Sequence, residues 1–312
     1  MGRRSWTLLV VLGAIWGASY LFMKVALDDM SPGMIAWTRV ALASLVLVAI
    51  AGARGALRGH GSRWGMLLLL GAVQAAGPFF LIAAGQQEVP SALAGILVTA
   101  APLWTALLAI RYDQEERSSG LRLVGVLLGF LGVVVLLGVD LGGDEKELIG
   151  GLAIVLAALG YAVGGLILKL RLSEVPPLGV ATWVMVASTG LLLPAAVLSI
   201  PSEVPGVAPL LSVVALGAVG TGIAFVIFYS LIATVGPART FIVTYLAPAF
   251  AIVYGATLLD EAITAATITG LTLILAGSWL GAEGRLPWRP RPAGRDREPA
   301  LTPPEAPIRD YS

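Results

Sequence analysis

Two prolines, Pro102 and Pro248, stand 146 residues apart, each in the middle of a long apolar run. A proline inside a helix removes one backbone hydrogen bond and exposes the carbonyl four residues earlier. In hydrocarbon that carbonyl must be satisfied by protein, water or a bound solute. The pair is read either as lining a solute cavity and hinging the helices around it, or as packing kinks. Trp16 and Tyr161, 145 residues apart, fall near the middle of their runs, away from the interfacial levels where such rings usually anchor. They serve as walls of a solute site, with Tyr161 offering a hydroxyl, or as interhelical packing. Gln74 is an amide deep in a third run and needs partners there. It is expected to meet solute or cavity water, the alternative being a bond that ties two helices. Thr99, Thr244 and Tyr245 lie within a turn of the prolines and are assigned to the same space. Threonine hydroxyls in helices commonly bond their own backbone, which is the competing account for Thr99 and Thr244.

Charge is scarce inside the runs. Arg39 lies about 9 Å inside the outer end of its run at the helical rise. Intramembrane charge is costly and is usually functional or paired. Recognition of an anionic group is one reading. The expected one is structural: snorkelling to the outer headgroups, or pairing with Asp28 or Asp29. Lys24 and Lys169 sit near run ends, where snorkelling suffices. Glu116 and Glu261 stand where two further runs begin and are expected to cap free amides and offset the positive end of the helix dipole. No Asp or Glu falls in the middle of a run, so proton coupling through a buried acid has no support. The chain has no cysteine, no Walker-type loop and a single histidine, His60, in an arginine-bearing loop. Metal, cofactor, ATP and a catalytic cluster are therefore not expected, and the protein is read as a non-enzyme.

The elements that must position these residues follow from hydropathy. Hydrophobic residues make up 57% of the chain and charged ones 12%, too little charge to cover a soluble domain of this size. About 20 apolar residues cross the hydrocarbon core as a helix. Ten runs qualify: 7–27, 33–51, 64–86, 90–111, 121–139, 149–171, 178–200, 208–232, 238–259 and 263–282. The runs are continuous and do not alternate, which excludes a β-barrel. Short connections such as 28–32 and 87–90 make sequential helices antiparallel neighbours. The run after Arg3 and Arg4 is too long for a typical signal peptide and is read as a retained helix. Residues 283–312, rich in proline, arginine and acid, are expected to form a disordered cytoplasmic tail. With the N-terminus cytoplasmic, one side collects Arg54, Arg58, Arg63, Arg111, Arg117, Arg122, Lys169, Arg171 and Arg239, and the other Asp28, Asp29, Glu88, Asp140, Asp144, Glu145, Glu147 and Glu203. The positive-inside rule thus places both termini in the cytoplasm.

Landmarks recur at one separation. Trp16/Tyr161, Lys24/Lys169, Pro32/Pro177, Glu116/Glu261, Gly125/Gly270 and Gly132/Gly277 are each 145 apart, and Val89–Pro102 matches Val235–Pro248 at 146. The chain is accordingly divided into repeats over 1–139 and 149–282. With five helices per repeat, the second must enter the membrane from the opposite side. The expected fold is all-α and integral to the membrane, with ten transmembrane helices in two inverted five-helix repeats, the arrangement of many secondary transporters.

The run Trp16-Gly17…Lys24…Pro32…Arg39, with the doubled segments Ala101-Pro102…Glu116…Gly125…Gly132 and Ala247-Pro248…Glu261…Gly270…Gly277, resembles EamA-type members of the drug/metabolite transporter superfamily. The resemblance covers about 7–282; Glu115-Glu116 stands where the family usually has Gly-Glu. It implies a multi-pass carrier of the bacterial plasma (inner) membrane, often an exporter of amino acids, metabolites or toxic compounds, with a central cavity between the halves. The expected function is secondary, non-ATP transport of amino acids or related metabolites by alternating access. Expected partners are a small-molecule solute and the lipid bilayer; a net charge of +1 gives no reason to expect nucleic acid, and oligomeric state stays open. The competing reading is a non-transporting membrane scaffold or regulatory partner, whose mid-membrane core would be closed by packed side chains.

Overall fold

A computed structural model describes residues 2–58, 63–112, 120–140 and 144–283. His60, Glu116 and the expected tail beyond Glu283 lie outside the described residues. Every regular element among those described is helical. In chain order they are α1 (Arg3–Ala26), α2 (Pro32–Ala53), α3 (Trp64–Gly85), α4 (Ser91–Val98), α5 (Ala101–Tyr112), α6 (Gly120–Gly138), α7 (Glu145–Arg171), α8 (Pro177–Val197), α9 (Val207–Val235), α10 (Pro237–Thr240), α11 (Val243–Leu258) and α12 (Ala265–Glu283). Eight segments are long and apolar enough to cross a membrane: α1, α2, α3, α4 with α5, α6, α7, α8 and α9; α11 and α12 are shorter apolar helices.

Local signals set the helix ends. The Ser31 hydroxyl accepts from the Met34 amide at 3.2 Å, and Pro32 opens α2 where its missing N–H is not needed. Asp144 accepts from the Lys146 amide at 3.0 Å at the head of α7. Glu145 and Glu147 occupy the first turn of that helix and Lys169 and Arg171 its last, so both ends of its dipole are offset. Gly236, at φ +84°, turns the chain out of α9 in a conformation that favours glycine.

The outer surface is bare hydrocarbon: Leu45 is 69% exposed and Leu127 63%. Such a surface suits acyl chains and would drive aggregation in water. Inside, small residues let helices approach closely. A methyl group added at Gly277 of α12 would run into the backbone of Gly129 and the carbonyl of Gly125, and one at Gly132 of α6 would meet the Gly270 carbonyl at 2.8 Å.

Two expected continuous runs are broken, 90–111 between α4 and α5 and 238–259 between α10 and α11. The chain tightens between α4 and α5, with Thr99 N–H donating to Ile96 O at 2.9 Å and Ala100 N–H to Leu97 O at 3.1 Å, the three-residue spacing of a 3₁₀ turn. Pro102 is therefore the second residue of α5, in a first turn that has no use for its N–H, and is not a mid-helix kink. Its counterpart Pro248 does lie inside α11. Three spans also widen into π-helical segments: Gly71–Ala76 within α3, Leu136–Asp140 at the end of α6 and Ala215–Ile223 within α9.

Candidate functional site

The most deeply placed charge is Arg39. Its side chain turns inward from α2 and is only 8% exposed. Its Nε donates to Thr221 Oγ1 at 2.8 Å, and that hydroxyl donates to Leu216 O, five residues back in the π segment of α9, at 3.1 Å. The close approach depends on Gly217, where a Cβ would lie 3.0 Å from the Arg39 carbonyl oxygen. The guanidinium carbon stands 3.8 Å from the centroid of the Phe79 ring, a cation–π contact. Phe79 in turn meets Tyr161 of α7 edge-on, centroids 6.4 Å apart. Tyr20 and Tyr161 pack against one apolar cluster that includes Ile35 of α2 and Leu216 of α9. No carboxylate pairs with Arg39 among the described residues. The expectation of snorkelling or pairing with Asp28 or Asp29 is thus replaced by a buried cation in an aromatic and hydroxyl surround. Four helices supply it: α1 gives Tyr20, α3 Phe79, α7 Tyr161 and α9 Thr221.

The other sequence-selected residues do not converge. Trp16 packs its ring on Phe228 at 5.4 Å, in a separate cluster with Leu9, Leu12 and Val243. Gln74 lies in the π segment of α3, half-buried against Gly164 of α7 and without a hydrogen bond among the described residues. It is not the most enclosed amide; that is Gln86, with no exposed surface. Thr99 donates to Ile96 O at 2.5 Å and Thr244 to Phe241 O at 2.7 Å, each within its own chain segment. Pro248 is buried and Tyr245 half-buried in α11.

Glu261 does cap a helix, but not its own. Helix α12 begins at Ala265. Asp260 takes a left-handed conformation (φ 54°), and Glu261 N–H closes the end of α11 by donating to Gly255 O at 3.0 Å. That closure, one residue longer than the usual six-to-one bond, brings the carboxylate to the start of α4. There it accepts from the amides of Ser91 (2.6 Å) and Ala92 (2.8 Å) and from the Ser91 hydroxyl (3.1 Å). Lys24 holds the other side of the same connection, donating to Gln86 O at 2.8 Å and Val89 O at 3.4 Å, so it is a tether and not a free snorkel. Two cavities open beside this clasp. One, of about 290 Å³, is lined by Lys24, Leu27, Asp28, Gln86, Gln87 and Glu88. The other, of about 300 Å³, is lined by Lys24, Glu88, Pro90, Glu147, Leu259 and Glu261. Neither is lined by Trp16, Gln74 or Tyr161.

Sequence reasoning passed over Tyr20, Phe79, Gln86 and Thr221. The one available signal was Gly220-Thr221-Gly222, a hydroxyl between two glycines in an apolar run. Such a run marks backbone that another helix approaches closely.

Apolar helices with a hydrocarbon exterior and a polar centre of buried groups define a multi-pass α-helical membrane protein. The chain belongs to the EamA-like transporter family, which it matches over residues 4–138 and 148–281, and it is a membrane transporter. Among curated relatives, the "Probable amino-acid metabolite efflux pump" of Escherichia coli (strain K12) is 27% identical over 303 residues, spanning 93% of this chain and 98% of that protein. The "Probable terminal-alkyne amino-acid exporter" of Streptantibioticus cattleyicolor is 28% identical over 308 residues, spanning 97% and 98%. A solved crystal structure with 24% identity superposes with a TM-score of 0.64 over 89% of this chain and 97% of its own, a likeness of fold.

Proposed function

We propose that the protein is a secondary, non-ATP carrier of the bacterial inner membrane, exporting or facilitating the movement of amino acids or related small metabolites by alternating access. The observation that carries this reading is the Arg39 centre. Arg39 and Phe79 come from the first family-matched segment, Tyr161 and Thr221 from the second, and they meet inside the bundle. A polar site between two halves is what a rocking carrier needs to expose to each side in turn. The relatives named as amino-acid exporters support the solute class.

The ten helices are assigned to two inverted repeats over 1–139 and 149–282, with both termini cytoplasmic. Two features support the symmetry. Gly125 and Gly132 are equivalent to Gly270 and Gly277 at the repeat separation, and their cross-contacts, Gly125 with Gly277 and Gly132 with Gly270, exchange under a two-fold operation. The π segments Gly71–Ala76 and Ala215–Ile223 also fall at equivalent places. A two-fold axis in the membrane plane would relate inward- and outward-open packings by exchange of the two halves' conformations.

Solute flux in proteoliposomes tests the reading, with a panel of amino acids and related metabolites and with or without a pH gradient. Gradient-independent flux that is reduced in folded Tyr161→Ala or Phe79→Ala protein is expected. Dependence on the pH gradient would keep the carrier and remove the uncoupled mechanism. Absence of flux across the panel from folded protein would count against the carrier.

A further inference from the structure

Resting on the carrier reading, we propose that Arg39 is the receptor for a carboxylate on the transported solute, and that the site prefers an organic monoanion to a zwitterion or an amine. A guanidinium keeps its proton in proteins. Taking it from water without a counter-charge is expensive, and buried cations are ordinarily matched by an acid. Among the described residues the match is missing: Arg39 is 8% exposed, and its one side-chain hydrogen bond there goes to a neutral hydroxyl, Thr221. Nη1 and Nη2 have no hydrogen-bond partner among the described residues, and neither nitrogen is sealed from its surroundings.

The remaining contacts hold the fork in place without neutralising it. Thr221 fixes the Nε edge, and the Phe79 ring covers one face at 3.8 Å. The outer edge, with its paired N–H groups, is the edge that grips a carboxylate bidentately. Tyr161, whose ring meets Phe79 edge-on, and Tyr20, which packs against the same apolar cluster as Tyr161, carry phenols that can donate to the same anion. Among the described residues no Asp or Glu contacts this centre to receive the ammonium of an amino acid. The carboxylates recorded near a cavity, Asp28, Glu88, Glu147 and Glu261, are grouped at the Lys24 end of the bundle. Charge balance at the centre therefore calls for one negative group, and a solute that also carries an ammonium leaves that charge unmatched.

Calorimetric titration of the detergent-purified full chain with three probes of one skeleton tests this. The probes are N-acetyl-leucine (monoanion), leucine (zwitterion) and leucinamide (cation). The expected order is N-acetyl-leucine tightest and leucinamide without measurable binding. Arg39→Gln should weaken the N-acetyl-leucine complex by about 30-fold or more, as for truncation of one partner of a buried charge pair. Thr221→Val removes only the orienting hydroxyl, keeps the fold's shape, and should weaken it by about 2- to 10-fold. Leucinamide binding as well as N-acetyl-leucine would overturn the proposal. So would carboxylate affinity unaltered in Thr221→Val, or the absence of carboxylate binding to folded protein. Leucine flux alongside any of those results would leave the carrier standing without this anchor. Anion binding without flux would keep the anchor and remove the carrier.

Discussion

Ser44 and Thr189 stand 145 residues apart in the chain, and their hydroxyl oxygens lie 3.2 Å apart between α2 and α8. That separation is the one at which Trp16 and Tyr161, and Pro32 and Pro177, recur. A residue that touches its own counterpart lies on the two-fold axis relating the two copies. The proposed inverted repeat therefore puts its axis through this contact, about one and a half turns along α2 from Arg39.

A pair on the axis keeps its distance when the two halves exchange conformations, so linking it should not arrest a rocking cycle. The chain has no cysteine of its own, which makes the experiment clean. The double variant Ser44→Cys/Thr189→Cys is expected to cross-link on oxidation and to retain most of its flux. Cross-linking that abolishes flux, reversed by reductant, would move the axis away from this pair.

The clasp made by Glu261 predicts a stability effect. Its carboxylate satisfies two backbone amides at the head of α4 and the Ser91 hydroxyl. Charge-assisted bonds to a helix start are worth more than neutral ones. Glu261→Ala should cost about 2 kcal/mol, with Glu261→Gln intermediate because one oxygen still accepts. Denaturant unfolding in a mild detergent reads this directly. Glu261→Ala should also raise the reaction of Ser91→Cys with a thiol reagent, since the clasp joins residues from both family-matched segments.

Which parts of this were legible in the sequence follows from what hydropathy can report. Runs of apolar residues disclosed the spans, because hydrocarbon demands them regardless of tertiary contacts. The direction of Arg39 was not legible. In α2 the lipid face and the packed face are both apolar, so no periodicity marks the inner side, and the residue's depth alone suggested snorkelling. The partners of Glu261 were hidden for a different reason. Ser91 is 170 residues away, and the reach depends on the left-handed turn at Asp260. Helix-start logic gave the right chemistry for the carboxylate and the wrong helix. The doubled prolines suggested equivalent kinks, yet a 3₁₀ turn at Thr99 relieves one and leaves the other inside its helix.

If the solute leaves as a monoanion bound to a fixed Arg39, each export event moves one negative charge outward. An inside-negative potential then favours export by about 2.3 kcal/mol per 100 mV. Loaded proteoliposomes held at such a potential with potassium and valinomycin should release N-acetyl-leucine faster than unpolarised ones, and reversing the sign should slow release. Indifference to potential would mean that a compensating charge moves with the solute.

The α6–α12 seam supplies a packing test that does not depend on the solute. At Gly277 an added methyl group would collide with the backbone of Gly129 and the carbonyl of Gly125, neither of which can rotate aside. Overpacking of this kind costs about 1–3 kcal/mol. Gly165 in α7 is the matched control, exposed and with nothing within 4 Å of a new Cβ. Gly277→Ala is expected to lower the unfolding midpoint and the yield of folded protein, and Gly165→Ala to leave both unchanged. Should the two substitutions behave alike, the close approach of α6 and α12 at Gly129 and Gly277 would be wrong. If Gly277→Ala folds at reduced stability and flux falls with it, the seam also carries the relative motion of the two halves, because helices separated by one methyl group lose the contact along which they slide.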